Sequence, residues 1–540
     1  MPTRLALAVS MASVGVILLC AAMWPSLAAG GQGAARDRTL RLNISDTAIE
    51  FIDPALNYDL LGWRLETMTC ARLLSYPDKS GAAGARLIPE VARSMPRVSR
   101  NGRTYTFRVR PGFRFSDGSP VTARSFRRAI ERALHPKMQS PGASFIGDIV
   151  GAAAVQSGKR TTPSGVKVAG DRFSVTLLRP APDFLSRIAM MFFCAVPENL
   201  PIDERGVKEV PGAGPYYFAE FNRNRSILLR RNPHYGGRRP QRWDEVKITQ
   251  NVAVQTSYLQ VRSGEVDLDI SGLPPAAHSE LTKRYGINKG RYFVLPGLII
   301  QYIALNTERP LFRDRSVRQA VAYAIDRTQL MRQAGLNGGV PNDQILPPGI
   351  PGYRPITVFP NRANLAKAKQ LMAGRTGKAV FYVGNDPISK AQAELIRLSL
   401  ARIGITVEVK VYDFSVQINK AGTRGEPFDM NLTGWTADYP DPYDFINVLL
   451  SGKTIAKQNN VNTAYFDDPA FNRRMERAAL TTGDARAATY ARLDRDLARA
   501  APFVVYGNST IREFVADSIG CPVKAAQAGG LNLTMLCRKR

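Results

Sequence analysis

Hydrophobic residues alternate along 38–45, where Leu40, Leu42 and Ile44 share one side, and again at Tyr105, Phe107 and Val109. That period of two predicts half-buried strands. Asp53-Pro54 ends the first segment, and Ser116-Asp117-Gly118-Ser119-Pro120 reads as a turn after the second. Helical spacing then takes over. Thr122 is placed to cap a helix with Phe126, Ile130 and Ala133/Leu134 on its apolar stripe. Ser316 is placed to cap another, with Val317, Ala320, Val321, Ala324 and Ile325, that stops near Gly335. Within 378–411, a strand (Ala379–Val383), a helix capped by Ser389 (Ala393, Ile396, Leu400, Ile403) and a second strand (Ile405, Val407, Val409, Val411) follow with short joints. This is a βαβ crossover, so a parallel pair and an α/β class are expected. A further strand over Phe428–Trp435 runs into Thr436-Ala437-Asp438-Tyr439-Pro440-Asp441-Pro442. Ligands of open α/β sheets gather just beyond strand carboxyl ends, which makes this loop the first candidate site.

The amino-terminal thirty residues break this pattern. Arg4 precedes an almost wholly apolar run from Leu5 to Trp24, and Ser26-Leu27-Ala28-Ala29 offers a small-residue cleavage site. Residues 1–29 therefore read as a secretory signal peptide, with an uncleaved anchor as the alternative because the run is long. Leu19 before Cys20 argues against lipoprotein processing, and a Gly/Ala/Arg-rich linker follows at about 29–38. Export to an oxidising compartment changes the reading of the other four cysteines. Cys521 and Cys537 are a natural local disulfide pair; Cys70 and Cys194 read equally as a disulfide or as buried thiols.

The 540 residues suffice for several domains, and 44 % hydrophobic with 22 % charged residues is globular composition. The formal net charge of +28 is unusual. It favours solubility and anionic surfaces and is silent on fold. Three histidines (His135, His234, His278) leave little for a multi-histidine metal enzyme, and no CxxC supports a zinc ribbon. Serine-hydrolase, zincin and P-loop motifs are absent, and Gly212-Ala213-Gly214-Pro215 lacks the third glycine of a dinucleotide loop. Arginines between 93 and 132 interleave with aromatics at strand spacing, so they read as a solvated outer face rather than a nucleic-acid site. No cofactor, metal or nucleic acid is expected.

Several segments, in order along nearly the whole mature chain, resemble the bacterial extracellular solute-binding proteins of the peptide/nickel class. They are Phe51-Ile52-Asp53-Pro54-Ala55, Leu87–Ala92 with Thr104–Arg110 and Phe115–Ala123, Gly212–Tyr216 with Arg231–Tyr235, Ser263-Gly264-Glu265-Val266-Asp267, and Asn306 with Phe312–Asp314, Val317–Ala320 and Ala324–Arg327. The resemblance implies a two-lobed periplasmic-binding-protein-like α/β fold with mixed sheets, a hinge and an extra inserted domain. Lobe one would combine 36–62, 195–290 and 506–540 with an inserted domain at 63–194, and lobe two would be 291–505. In peptide-binding members a carboxylate holds the ligand's α-ammonium, a role that falls on Asp438. Gly434 and Thr436 would offer backbone groups to an extended peptide, Trp435 and Tyr439 apolar walls, and Asn57 and Tyr58 the facing wall. Read without the resemblance, Asp438 is a loop carboxylate capping a turn or a nearby helix, while Asp441 and Asp444 cap the helix of Phe445 and Leu449. The implied activity is capture rather than catalysis, by an exported monomer that delivers peptides to an ABC permease. The rival ligands are a nickel chelate, an opine or an oligosaccharide, and the rival class is an exported peptide or cell-wall hydrolase.

Overall fold

The computed structural model describes residues 38–79, 81–525 and 529–539. The expected signal peptide, Cys20 and nearly all of the linker lie outside these residues.

A five-stranded mixed sheet has the order Leu268–Asp269, Thr39–Ser45, Glu245–Val252, Ser226–Arg231, Tyr216–Asn222. Thr39–Ser45 is parallel to both of its neighbours. Leu40, Leu42 and Ile44, the residues that alternate in the sequence, are all buried in its core. Helix Leu60–Thr69 packs Leu65 and Met68 on the same core, and the returning tail adds Leu531, Leu533 and Leu536. Cys521 and Cys537 are joined, closing that tail beside the pairing of Ile519–Gly520 with Cys537–Arg538.

A four-stranded antiparallel sheet follows, in the order Arg97–Val98, Thr104–Arg108, Arg172–Thr176, Val166–Ala169. Helix Ala123–Leu134 covers it through Phe126 and Ile130, and Thr122 and Ser125 cap its start reciprocally. One arginine of the 93–132 region departs from the expected solvated face. Arg132 is 1 % exposed and holds Asp53 by two hydrogen bonds, of 2.7 and 2.6 Å. Its position on the inward face of the helix, beside a buried carboxylate, compensates its charge. Cys70 and Cys194 are paired, with Cα atoms 5.7 Å apart, and tie the end of helix Leu60–Thr69 to this region.

The third sheet has six strands in the order Gly339–Pro341, Phe503–Phe514, Tyr292–Leu305, Met430–Thr436, Gly377–Gly384, Ile405–Tyr412. Its last two strands form the expected parallel pair, joined by helix Pro387–Ala401. Two caps differ from the sequence reading. Asp386, not Ser389, caps this helix, and Asp314, not Ser316, caps Arg315–Ala324. Each serine instead gives its backbone N–H to the upstream carboxylate, a stronger acceptor than a hydroxyl. The helix expected to reach Gly335 divides into Arg315–Ala324 and Arg327–Arg332, because Asp326 starts a new helix by accepting from Gln329 N.

Tyr292–Leu305 and Phe503–Phe514 are long antiparallel partners that serve two cores. Phe293 and Leu295 pack in the core of the five-stranded sheet, whereas Ile300 to Leu305 lie between the layers of the six-stranded one. Their register shifts between Pro296 and Ile300, where proline offers no N–H to the ladder.

Candidate functional site

The site forms where strand Met430–Thr436 ends. Gly434 sits so close to its neighbour that an added Cβ would meet the Gln301 side-chain oxygen at 2.7 Å and Ile300 O at 2.9 Å. One bond, Ala437 N–H to Leu298 O at 2.9 Å, extends the pairing, and the chain then turns away. Helix Pro442–Leu450 follows, capped by Asp441, which accepts from Tyr443 N at 2.8 Å and pairs with Arg486 at 2.6 Å. Asp444 does not cap this helix. It is fully buried in the first turn and reaches back, its Oδ2 accepting from Trp435 Nε1 and from Asp438 N, each at 3.1 Å. This strap fixes the direction in which the Asp438 carboxylate leaves the strand.

Asp438 is half-buried, and its Oδ1 accepts the Tyr58 hydroxyl at 2.7 Å. Tyr58 is 380 residues away in sequence and precedes Asp59, the cap of helix Leu60–Thr69, so the two walls of the site touch here. A cavity of about 470 Å³ opens beside them. One wall is Thr433 to Asp438 with Tyr302, the opposite wall is Tyr58, Asp59, Leu60 and Trp63, and Phe414, Ile418 and Val461 complete it. The volume falls within the range of about 300–1,000 Å³ usual for small-ligand sites. A smaller space of about 60 Å³ adjoins it past Asp438, bordered by Arg72, Tyr76, Ser186, Met190, Met191 and Leu298 among others.

Burial pushes the Asp438 carboxyl well above the ordinary aspartate range, with the Tyr58 hydroxyl opposing that rise. Burial raises Asp444 as well, and the neighbouring Asp438 charge raises it further. Two facing carboxyls out of water do not both ionise readily. A proton shared with the pair, or a cation beside it, relieves that repulsion.

Of the residues singled out in the sequence, Asp438, Trp435, Gly434, Thr436 and Tyr58 all border the large cavity. Tyr439 borders only the smaller space; its ring lies edge-on to Phe145, with centroids 6.4 Å apart, and its hydroxyl reaches Asp183 at 3.3 Å. Asn57 lines neither cavity. It is buried, its side chain faces Glu66, and its carbonyl accepts from Trp63 Nε1 at 2.9 Å. Adjacent in the chain, the two side chains part: Asn57 meets Glu66 and Tyr58 meets Asp438. Sequence reading missed Trp63, Tyr302 and Phe414. The available signal was Asp59, a residue typed to cap a helix whose first turn then faces the cleft.

Comparison with known proteins agrees with this architecture. Residues 86–457 match the family described as bacterial extracellular solute-binding proteins, family 5 Middle. The periplasmic oligopeptide-binding protein OppA of Escherichia coli K12 is 28 % identical over 441 residues, covering 76 % of this chain and 77 % of that protein. The probable deoxycholate-binding periplasmic protein YgiS of the same organism is 27 % identical, covering 75 % and 76 %. Among solved structures, the clavulanic acid biosynthesis oligopeptide binding protein 2 superposes with a TM-score of 0.87 at 25 % identity, covering 94 % of this chain and 96 % of that one.

Proposed function

Since the chain belongs to family 5 of the bacterial extracellular solute-binding proteins, we propose that it is the exported peptide-capturing component of an ABC importer. In this reading a peptide enters the 470 Å³ cavity with its α-ammonium against Asp438. The main chain of Thr433 to Thr436 offers the peptide N–H and C=O groups in the manner of an added strand. Tyr302, Trp435 and Trp63 cover its apolar parts.

The observation that carries this reading is Asp438 itself. It is a half-buried carboxylate at a strand's end whose pKa burial raises, and among the described residues no Lys, Arg or His lines its cavity. A site that removes an anion from water without supplying a counter-ion is built for a ligand that brings one. An anionic solute such as a bile acid would find no cation among the described residues of these walls. The two long strands between the cores, with their irregular register at Pro296–Ile300, are the proposed hinge. Closure is then a population shift driven by contacts to both walls at once, and the closed form is what a permease would recognise. Calorimetry with a short apolar peptide and its N-acetylated form tests the proposal. Acetylation is expected to abolish measurable binding, and equal affinity for both forms would refute it.

A further inference from the structure

The charge around the cavity runs opposite to that of the molecule. The chain carries 73 Lys and Arg against 45 Asp and Glu, yet among the described residues the only charged ones lining the 470 Å³ cavity are Asp59 and Asp438. Asp59 is committed as a helix cap, accepting from Leu61 N at 2.9 Å and Gly62 N at 3.2 Å. Asp438 thus faces the space alone, and Trp63, Tyr302, Phe414, Ile418 and Trp435 make most of the remainder apolar or aromatic. Phe414 is 72 % exposed and Ile418 38 %, so this helix holds apolar surface ready to be covered.

Among the described residues, the one cation bordering the adjoining small space is Arg72, and it is already engaged. Its Nη1 donates to Ala189 O at 3.0 Å, its Nη2 to Ser75 Oγ at 2.7 Å, and Glu90 lies 3.9 Å from its Nε. The walls already touch through Tyr58 and Asp438. A ligand carboxylate confined here would lose its hydration and gain no partner.

We propose that the ligand is an apolar molecule bearing one ammonium and no anionic group inside the cavity. It is a peptide with apolar side chains whose terminal carboxylate is either blocked or carried outside by further residues. This inference rests on the ammonium–Asp438 reading above.

The test compares trileucine, trileucine amide, N-acetyl-trileucine amide and Leu-Leu-Leu-Gly-Gly-Gly by calorimetry on the purified chain at pH 7. Trileucine amide is expected to bind at least fivefold more tightly than trileucine. A smaller ratio, or preference for the free acid, overturns the inference while leaving the ammonium reading standing. If N-acetyl-trileucine amide binds as well as trileucine amide, the ammonium reading itself fails and this inference falls with it. The hexapeptide separates the two sources: affinity equal to the amide's assigns a carboxylate carried outside, and affinity as weak as trileucine's assigns a blocked terminus.

Discussion

Lowering the pH from 7 to 5 should weaken peptide binding by up to about fiftyfold. Burial holds Asp438 up to about 7 in the empty site. An ammonium beside it favours the ionised form, so the carboxyl titrates at lower pH in the complex. The complex therefore binds fewer protons than the empty protein over this range. Affinity must rise with pH until about 7, by up to tenfold per unit, or about 1.4 kcal/mol. It should level off above 7 and fall once the peptide's own α-amino group, with an ordinary pKa of about 8, loses its proton. The interaction is large enough to drive this. Opposite unit charges about 3 Å apart at an effective dielectric of about 20 attract by about 5 kcal/mol before desolvation is subtracted. Asp438→Asn should reduce affinity at pH 7.5 by about 2–5 kcal/mol, the cost of truncating one partner of a buried pair, and should flatten the pH profile. Calorimetry in buffers of different ionisation enthalpy reads both affinity and proton release. A flat wild-type profile between pH 5 and 7, or an Asn variant that keeps the slope, would refute the reasoning.

Other outcomes follow from neighbouring contacts. Tyr58→Phe removes the hydroxyl that stabilises ionised Asp438, so the pH midpoint of binding should move upward; a midpoint that stays or falls contradicts that role. Asp53→Asn leaves Arg132 buried with a broken partner and should cost about 3–5 kcal/mol in denaturant unfolding, and a loss below about 1 kcal/mol would show that the pair is not important. Asp494 is fully buried and burial pushes its carboxyl up to about 7, with Ile345 N–H as an opposing donor. The folded state holds this proton after the unfolded chain has released it, so wild type should lose about 2–3 kcal/mol relative to Asp494→Asn between pH 5 and 8. Unfolding curves of the two proteins that stay parallel across this range would exclude it.

Three strands of the six-stranded sheet could be read from the sequence, because its βαβ unit alternates Ile405, Val407 and Val409 against a helix with its own 3.6 period; the long central pair Tyr292–Leu305 and Phe503–Phe514 was not. The loop at Thr436–Pro442 was legible for the same reason, since a parallel strand's carboxyl end locates it. Cap identities were less so. Ser389 and Ser316 each lie two or three residues after an aspartate that captures the N–H groups first. The second wall of the site was hardest to read. Trp63 and Phe414 join Asp438 around the cavity only through the tertiary fold, and no local period marks an aromatic residue that faces a cleft rather than a core. Asn57 and Tyr58 show the limit directly: adjacent in sequence, one is buried against Glu66 and the other meets Asp438.

The most direct measurement is mass spectrometry of the small molecules that co-purify with the native protein and with Asp438→Asn. The account predicts peptides with a free amino terminus released from the wild type and absent from the variant. A bound solute without a cationic group, or the same peptides carried equally by both proteins, would contradict it.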